Sequence, residues 1–105
     1  MIGGRPLWRS VAQTVCEQWN QHGNCMLVTG ATYPEELKRV REIVGDMTLL
    51  VPGIGAQGGE VERTVLAGLN SQRKGLIISS SRGIIFAENP GEEARKLRDQ
   101  INQKR

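Results

Sequence analysis

Aromatic residues are scarce: two Trp, one Tyr and one Phe make up 4% of the 105 residues. That counts against a single-stranded nucleic-acid platform, which stacks bases on aromatic side chains. The charge agrees. Although the formal net charge is +3 and the pI about 9.2, the basic residues are scattered along predicted helices and end in the Lys104-Arg105 pair. No concentrated stripe exists to displace counterions, so no nucleic-acid partner is expected.

There are two cysteines, Cys16 and Cys25, and one histidine, His22, with no second Cys/His pair at metal-binding spacing. Neither a metal site nor a disulfide framework is expected, and both cysteines read as reduced core residues of a cytoplasmic protein. No apolar run approaches the roughly 18 residues that a membrane span needs. The start Met1-Ile2-Gly3-Gly4-Arg5 leads into no apolar signal segment. A soluble chain, not secreted and with no membrane partner, is the expectation.

What is present alternates between two periodicities. Leu7, Trp8, Val11, Ala12, Val15, Cys16 and Trp19 recur every three or four positions behind Pro6, which predicts a helix over 6–20 with both tryptophans packed on one face. Cys25 to Val28 is a short apolar run closed by Thr29-Gly30 and suits a buried strand. Pro34, followed by Glu35 and Glu36, opens a second helix that runs to Gly45. The pattern then repeats. Thr48 to Val51 reads as a strand, Pro52 to Gly59 as a Gly-rich loop and Glu60 to Ala67 as a helix. Gly75 to Ile78 reads as a third strand, Ser79 to Phe86 as a loop, and a last helix starts near Pro90 with Ala94, Leu97 and Ile101 on one side.

Apolar strands without polar alternation, each followed by a helix, predict a parallel sheet covered by helices. Three strand-helix units leave two bare sheet edges, and an eight-stranded barrel of this kind takes roughly 250 residues. The chain therefore reads as part of a larger α/β structure, its 105 residues forming one portion of a single domain. An open flavodoxin-like or Rossmann-like half is the structural alternative, although the full dinucleotide fingerprint, glycines together with a downstream acid, is not met.

In parallel α/β folds the loops at the carboxyl ends of the strands build the site, and in barrels the last two commonly bind phosphate. The loop Pro52-Gly53-Ile54-Gly55-Ala56-Gln57-Gly58-Gly59 places glycines before a helix whose free N–H groups favour an anion. It reads either as a tight turn or as a binding loop, and the polar Gln57 tips it toward binding. The loop Ser79-Ser80-Ser81-Arg82-Gly83 offers a guanidinium at a strand's carboxyl end, suited to bidentate phosphate recognition. The apolar run Ile84-Ile85-Phe86 argues against a fully solvated loop. His22, in a polar turn, reads as non-catalytic, and the charged stretches 35–42 and 92–98 read as solvated helical faces.

Three stretches, Thr29-Gly30-Ala31-Thr32-Tyr33-Pro34-Glu35-Glu36-Leu37, Leu50 to Gly59 and Ser80 to Ile85, stand in an order and spacing that resembles the final three strand ends of the orotidine 5'-phosphate decarboxylase family. The branch common in bacteria such as mycobacteria is the one most resembled. The resemblance implies the C-terminal strand-helix units, about three of eight, of a (β/α)8 TIM barrel. It also implies phosphate-gripping roles for Gln57 and Arg82, a backbone N–H at Ser81 where the family often has glycine, and a contribution from Gly58. Pro52 and Thr32 would lie near the base or ribose.

By the same resemblance the whole protein turns orotidine 5'-phosphate into UMP and CO2 in de novo pyrimidine biosynthesis, without a cofactor and as a homodimer. The family's Lys-Asp-Lys-Asp constellation, signalled by Asp-x-Lys-x-x-Asp, is missing here. The aspartates are Asp46 and Asp99 and the lysines Lys38, Lys74, Lys96 and Lys104, none at a predicted catalytic strand end. The catalytic groups and the N-terminal strands of the barrel would have to come from elsewhere. A non-catalytic phosphate-binding fragment and another phosphate-binding barrel enzyme are the alternatives.

Overall fold

The computed structural model describes residues 4, 6–30, 33–53 and 58–105. Helix α1 spans Leu7–Thr14 and is followed by a π-helical turn at Val15–Trp19. Strand β1 is Leu27–Val28, helix α2 Pro34–Val44, strand β2 Leu49–Val51 and helix α3 Gly58–Gly68. Strand β3 is Leu76–Ile78, followed by the short helix α4, Ser81–Ile85, and by α5, Pro90–Gln103. The strands form a parallel sheet in the order β1-β2-β3, with Leu27, Leu49 and Leu76 in register. This is the predicted alternation, with α4 inserted where a loop was expected.

Register and burial show how the layers are arranged. Leu49 and Val51 are fully buried and pack into the core with Leu37, Val61 and Val65 of α2 and α3. Each such side chain contributes about 1.5–3 kcal/mol on burial. Val28, Leu50 and Ile77 share the other face by register, where Val28 is 69% and Ile77 48% exposed. Helices cover one face of the sheet, and the second face is apolar and open. Helix α2 packs against both α1 and α3, and α5 against α3.

The first helix departs from expectation at its end. Positions eleven apart on an α-helix lie only about 20° apart, which predicts Trp8 and Trp19 on one face. The π-turn inserts an extra residue into the spiral and rotates the side chains beyond it. Trp8 packs against the core, whereas Trp19 is 63% exposed. The chain then turns through Asn20, whose side-chain Oδ1 accepts from the Cys25 N–H at 2.8 Å. Both cysteines are free and half-buried against the core.

Two more expectations are corrected. The charged stretch 35–42 is not wholly solvated: Arg41 is 8% exposed and donates to four backbone carbonyls, Gly45 and Gly68 at the carboxyl ends of α2 and α3 and Met47 and Gly75 just before β2 and β3. On α5, Leu97 and Ile101 pack against the core but Ala94 is exposed. The rest of 92–98 behaves as a solvated face, with a surface pair between Lys96 and Glu93 at 3.3 Å. His22 is exposed in its turn. Among the described residues no helix is long and apolar enough to cross a membrane, and no cluster of His, Cys, Asp and Glu could hold a metal ion.

Candidate functional site

The parallel register brings the carboxyl ends of all three strands to one edge of the sheet. The Thr29 N–H, just past β1, donates to the Leu50 carbonyl at 2.9 Å, and the Ser79 N–H, just past β3, donates to the Val51 carbonyl at 3.0 Å. The segments leaving the strands therefore start side by side. Pro52 is half-buried immediately after β2, and Gly53 comes next at φ +81°, a left-handed conformation that glycine adopts without strain. Gly58 is the first residue of α3, whose N-terminal N–H groups have no partner within the helix.

On the neighbouring strand, Ser79 and Ser80 lead into α4, and Ser81 and Arg82 are its first two residues, both exposed. No described residue pairs with the Arg82 guanidinium. A Cβ added at Gly83 would stand 2.9 Å from the Ser80 Oγ and would have to turn that hydroxyl aside.

The sequence-predicted residues thus divide into two groups. Pro52 follows β2 directly and Ser81 and Arg82 follow β3 after two residues, so they lie on segments that leave neighbouring strands at one edge of the sheet, while Gly58 opens α3. Gln57 and Thr32 lie outside the described residues. The expectation that Ile84-Ile85-Phe86 marks a partly covered loop holds only for Ile84, which lines a small cavity with Leu97 of α5. Ile85 is 66% and Phe86 81% exposed, because a helix as short as α4 turns one apolar side chain toward α5 and the others outward. Sequence reasoning missed α4 itself, whose five residues contain a glycine and two β-branched isoleucines and give no helical period.

The β2 loop also carries Gly53, Gly55 and Gly58 at Gly-x-Gly-x-x-Gly spacing, the glycine part of a dinucleotide fingerprint. No Asp or Glu stands between Glu62 and Glu88, so the acid that would bind a ribose hydroxyl after the next strand is absent.

The chain is similar over most of its length to known proteins. The chain is 56% identical over 110 residues to an orotidine 5'-phosphate decarboxylase of Bordetella avium, covering 97% of this chain and 40% of that protein. It is 59% identical over 85 residues to the corresponding protein of Aromatoleum aromaticum, covering 81% of this chain and 31% of that one. The chain thus spans about two fifths or less of the length of these relatives. Leishmania donovani OMP decarboxylase superposes with a TM-score of 0.91 at 36% identity, over 99% of this chain and 40% of that structure. Leishmania donovani UMP synthase superposes at 0.92 and 42% identity, over 100% of this chain and 24% of that structure. The one-sided sheet is accordingly a set of strand-helix units from a (β/α)8 barrel, with its open face turned to the barrel interior, and not half of a doubly wound sheet. Residues 5–97 match the sequence model of the orotidine 5'-phosphate decarboxylase / HUMPS family, and with the fold and the order of strand ends in agreement, the chain belongs to that family.

Proposed function

We propose that residues 1–105 are the C-terminal portion of a single barrel domain of an orotidine 5'-phosphate decarboxylase, and that they supply the loops that grip the substrate phosphate. The complete protein converts orotidine 5'-phosphate to UMP and CO2 in de novo pyrimidine biosynthesis. The observation that carries this reading is the adjacency of the β2 and β3 carboxyl ends, joined by the Ser79 to Val51 hydrogen bond, in a chain that belongs to the family.

Arg82 supplies a charged donor and Gln57 a polar one, with backbone N–H groups at Ser81 and Gly58. Pro52 and Thr32 line the base or ribose. A phosphate lies remote from the carbon that loses CO2. Gripping it lowers the barrier indirectly, because binding energy from a non-reacting group is used to close the site and hold catalytic side chains in place. The lysine and aspartate chemistry belongs to the part of the barrel outside this chain, and no cofactor is needed. The complete protein is a homodimer of the cytoplasm, a compartment that suits two free cysteines.

The test is a graft. Residues 1–105, exchanged for the matching stretch of the Bordetella avium relative, are expected to leave a protein that decarboxylates orotidine 5'-phosphate, whereas the isolated chain turns over none. A folded graft without activity, or saturable turnover by the purified chain alone, overturns the reading.

A further inference from the structure

Arg82 is exposed, and the short helix α4 that carries it sets the direction in which its side chain leaves the backbone. Helix α4 has five residues, far below the roughly 12–15 at which a helix holds itself together in water. Among the described residues no side-chain hydrogen bond caps its start. The bonds that close its end are long, 3.4 Å from the Phe86 N–H to the Arg82 carbonyl and 3.3 Å from the Ala87 N–H to the Ile84 carbonyl. What places α4 is its packing on α5. Between the two helices lies an open cavity of about 210 Å³, to which Ile84 brings an apolar side chain from α4 and Leu97 one from α5. Ile84 is half-buried there, and Leu97 in turn packs against the core. The other residues that line the cavity from the α4 side are Ser80 and Gly83, so Ile84 is the apolar anchor of the pair.

We infer that Ile84 is a positioning residue for Arg82: its seat on α5 sets the roll of α4 and so the direction in which the guanidinium meets the substrate phosphate. The inference rests on the proposed function and adds to it a residue that acts through Arg82 without touching the substrate. Successive helical residues turn by about 100°, so a side chain two positions away stands on the opposite face, about 200° round. Ile84 seated on α5 therefore turns Arg82 away from α5, and Arg82 is exposed. A roll of about 20° moves a group about 6 Å from the helix axis by about 2 Å. Misplacement of about 1 Å can cost on the order of a hundredfold in rate. Ile85, the next residue on the same helix, is 66% exposed and has no such seat, which makes it the matched control.

The test is made in the graft described above. Alanine is a better helix former than isoleucine, so Ile84→Ala removes the seat without weakening the helix. It is expected to lower kcat/KM for orotidine 5'-phosphate by about tenfold or more, and to leave kcat/KM for orotidine, which has no phosphate, nearly unchanged. Ile84→Val keeps most of the seat and is expected to show the same pattern with a much smaller loss; if Ile84→Ala does not fold, Ile84→Val is carried through every step in its place. Ile85→Ala is expected to cost little on either substrate. In an Arg82→Ala background Ile84→Ala is expected to add nothing, because a positioning residue has no effect once the group it positions is gone. A loss shared by both substrates, an additive loss in the Arg82→Ala background, or equal activity of Ile84→Ala and Ile85→Ala each overturns the inference, and a phosphate-selective loss in Arg82→Ala alone then leaves the proposed function standing. An Arg82→Ala protein with no phosphate-selective loss sinks the proposed function and the inference together.

Discussion

The Arg41 guanidinium donates through Nε to the carbonyl oxygen of Gly68 at 2.7 Å and so ties α2 to the last residue of α3. Its Nη1 donates to Gly45 at 2.7 Å and to Met47 at 2.5 Å, and Nη2 to Gly75 at 2.9 Å. One buried cation thus satisfies carbonyls at the negative ends of two helices and at the entrances of two strands. Burial pushes its pKa down, partly opposed by the nearby Asp46 carboxylate, yet an arginine keeps its charge at neutral pH.

Removing that cation takes a donor from four carbonyls, of which Gly75's keeps the Leu49 N–H at 2.8 Å. Hydrogen bonds to charged groups are worth about 1.5–3 kcal/mol each and are not additive when one side chain makes them all. Arg41→Met is therefore expected to cost about 3 kcal/mol or more, and Arg41→Lys about half as much, because an ammonium keeps the charge without the planar fork. Urea denaturation of the three proteins checks the order. A fully stable Arg41→Met variant would mean that water replaces the guanidinium at no cost.

Gly75 and Gly45 test the same corner by contrast. Both have positive φ, +85° and +63°, but a Cβ at Gly75 would lie 2.6 Å from the Asn70 Nδ2 and 3.1 Å from the Arg41 Nη2, while at Gly45 it would meet nothing within 4 Å. Gly45→Ala is expected to cost the backbone strain alone, about 1–3 kcal/mol. Gly75→Ala is expected to cost clearly more, since it also displaces the Asn70 amide and presses on Arg41. Equal thermal shifts for the two variants would remove Arg41 from the account.

The layer order was legible because each strand is a short apolar run followed by a helical period: Leu49 to Val51 and Leu76 to Ile78 announce themselves. The strand-end residues were legible as a series, since Pro52 and Arg82 each come after such a run. What failed to show was anything set by tertiary contact. Arg41 reads as one more charge on an exposed helix face until the carbonyls of Gly68 and Gly75, distant in sequence, converge on it. Trp19 reads as core because a π-turn leaves no trace in a 3.6-residue period, and α4 is too short to have one.

Asp46 gives the acid limb of stability a specific source. Its carboxylate accepts from the Ser71 N–H at 3.0 Å and from the Ser71 hydroxyl at 2.8 Å, and these bonds hold its pKa below the ordinary aspartate value of about 3.8 against an opposing desolvation that exceeds the attraction from Arg41. A carboxyl depressed in the folded state stabilises above its unfolded pKa and loses that contribution as pH falls through the folded one. The stability gap between wild type and Asp46→Asn is therefore expected to be full at pH 6 and to shrink below about pH 3.8. Denaturant melts at pH 6 and pH 3 decide it, and an unchanged gap rules out the carboxylate.

Thr64 is fully buried on α3, and its Oγ1 has no hydrogen-bond partner among the described residues. An unsatisfied buried hydroxyl costs about 1–3 kcal/mol, so Thr64→Val, of nearly the same shape, is expected to raise stability by roughly 1 kcal/mol. That corresponds to a Tm rise of about 4–8 °C in a chain of this size. A lower Tm would show that the hydroxyl is bonded after all.

Arg82 carries the functional reading most directly. It is exposed and no described residue pairs with its guanidinium, so Arg82→Ala is expected to leave the Tm of the isolated chain within the small range typical of surface substitutions. In the active graft the same change removes a charge-assisted bond to a phosphate dianion, which at about 1.5–3 kcal/mol predicts a fall in kcat/KM of roughly tenfold to hundredfold. Gln57→Ala is expected to cost less, and the double variant less than the sum, because both residues act through one phosphate. The decisive control is a substrate without the phosphate. Against orotidine itself, Arg82→Ala is expected to make almost no difference, since the group it holds is gone. An equal loss on both substrates would make Arg82 a structural residue, and the phosphate would have to be held by other groups at the ends of β2 and β3.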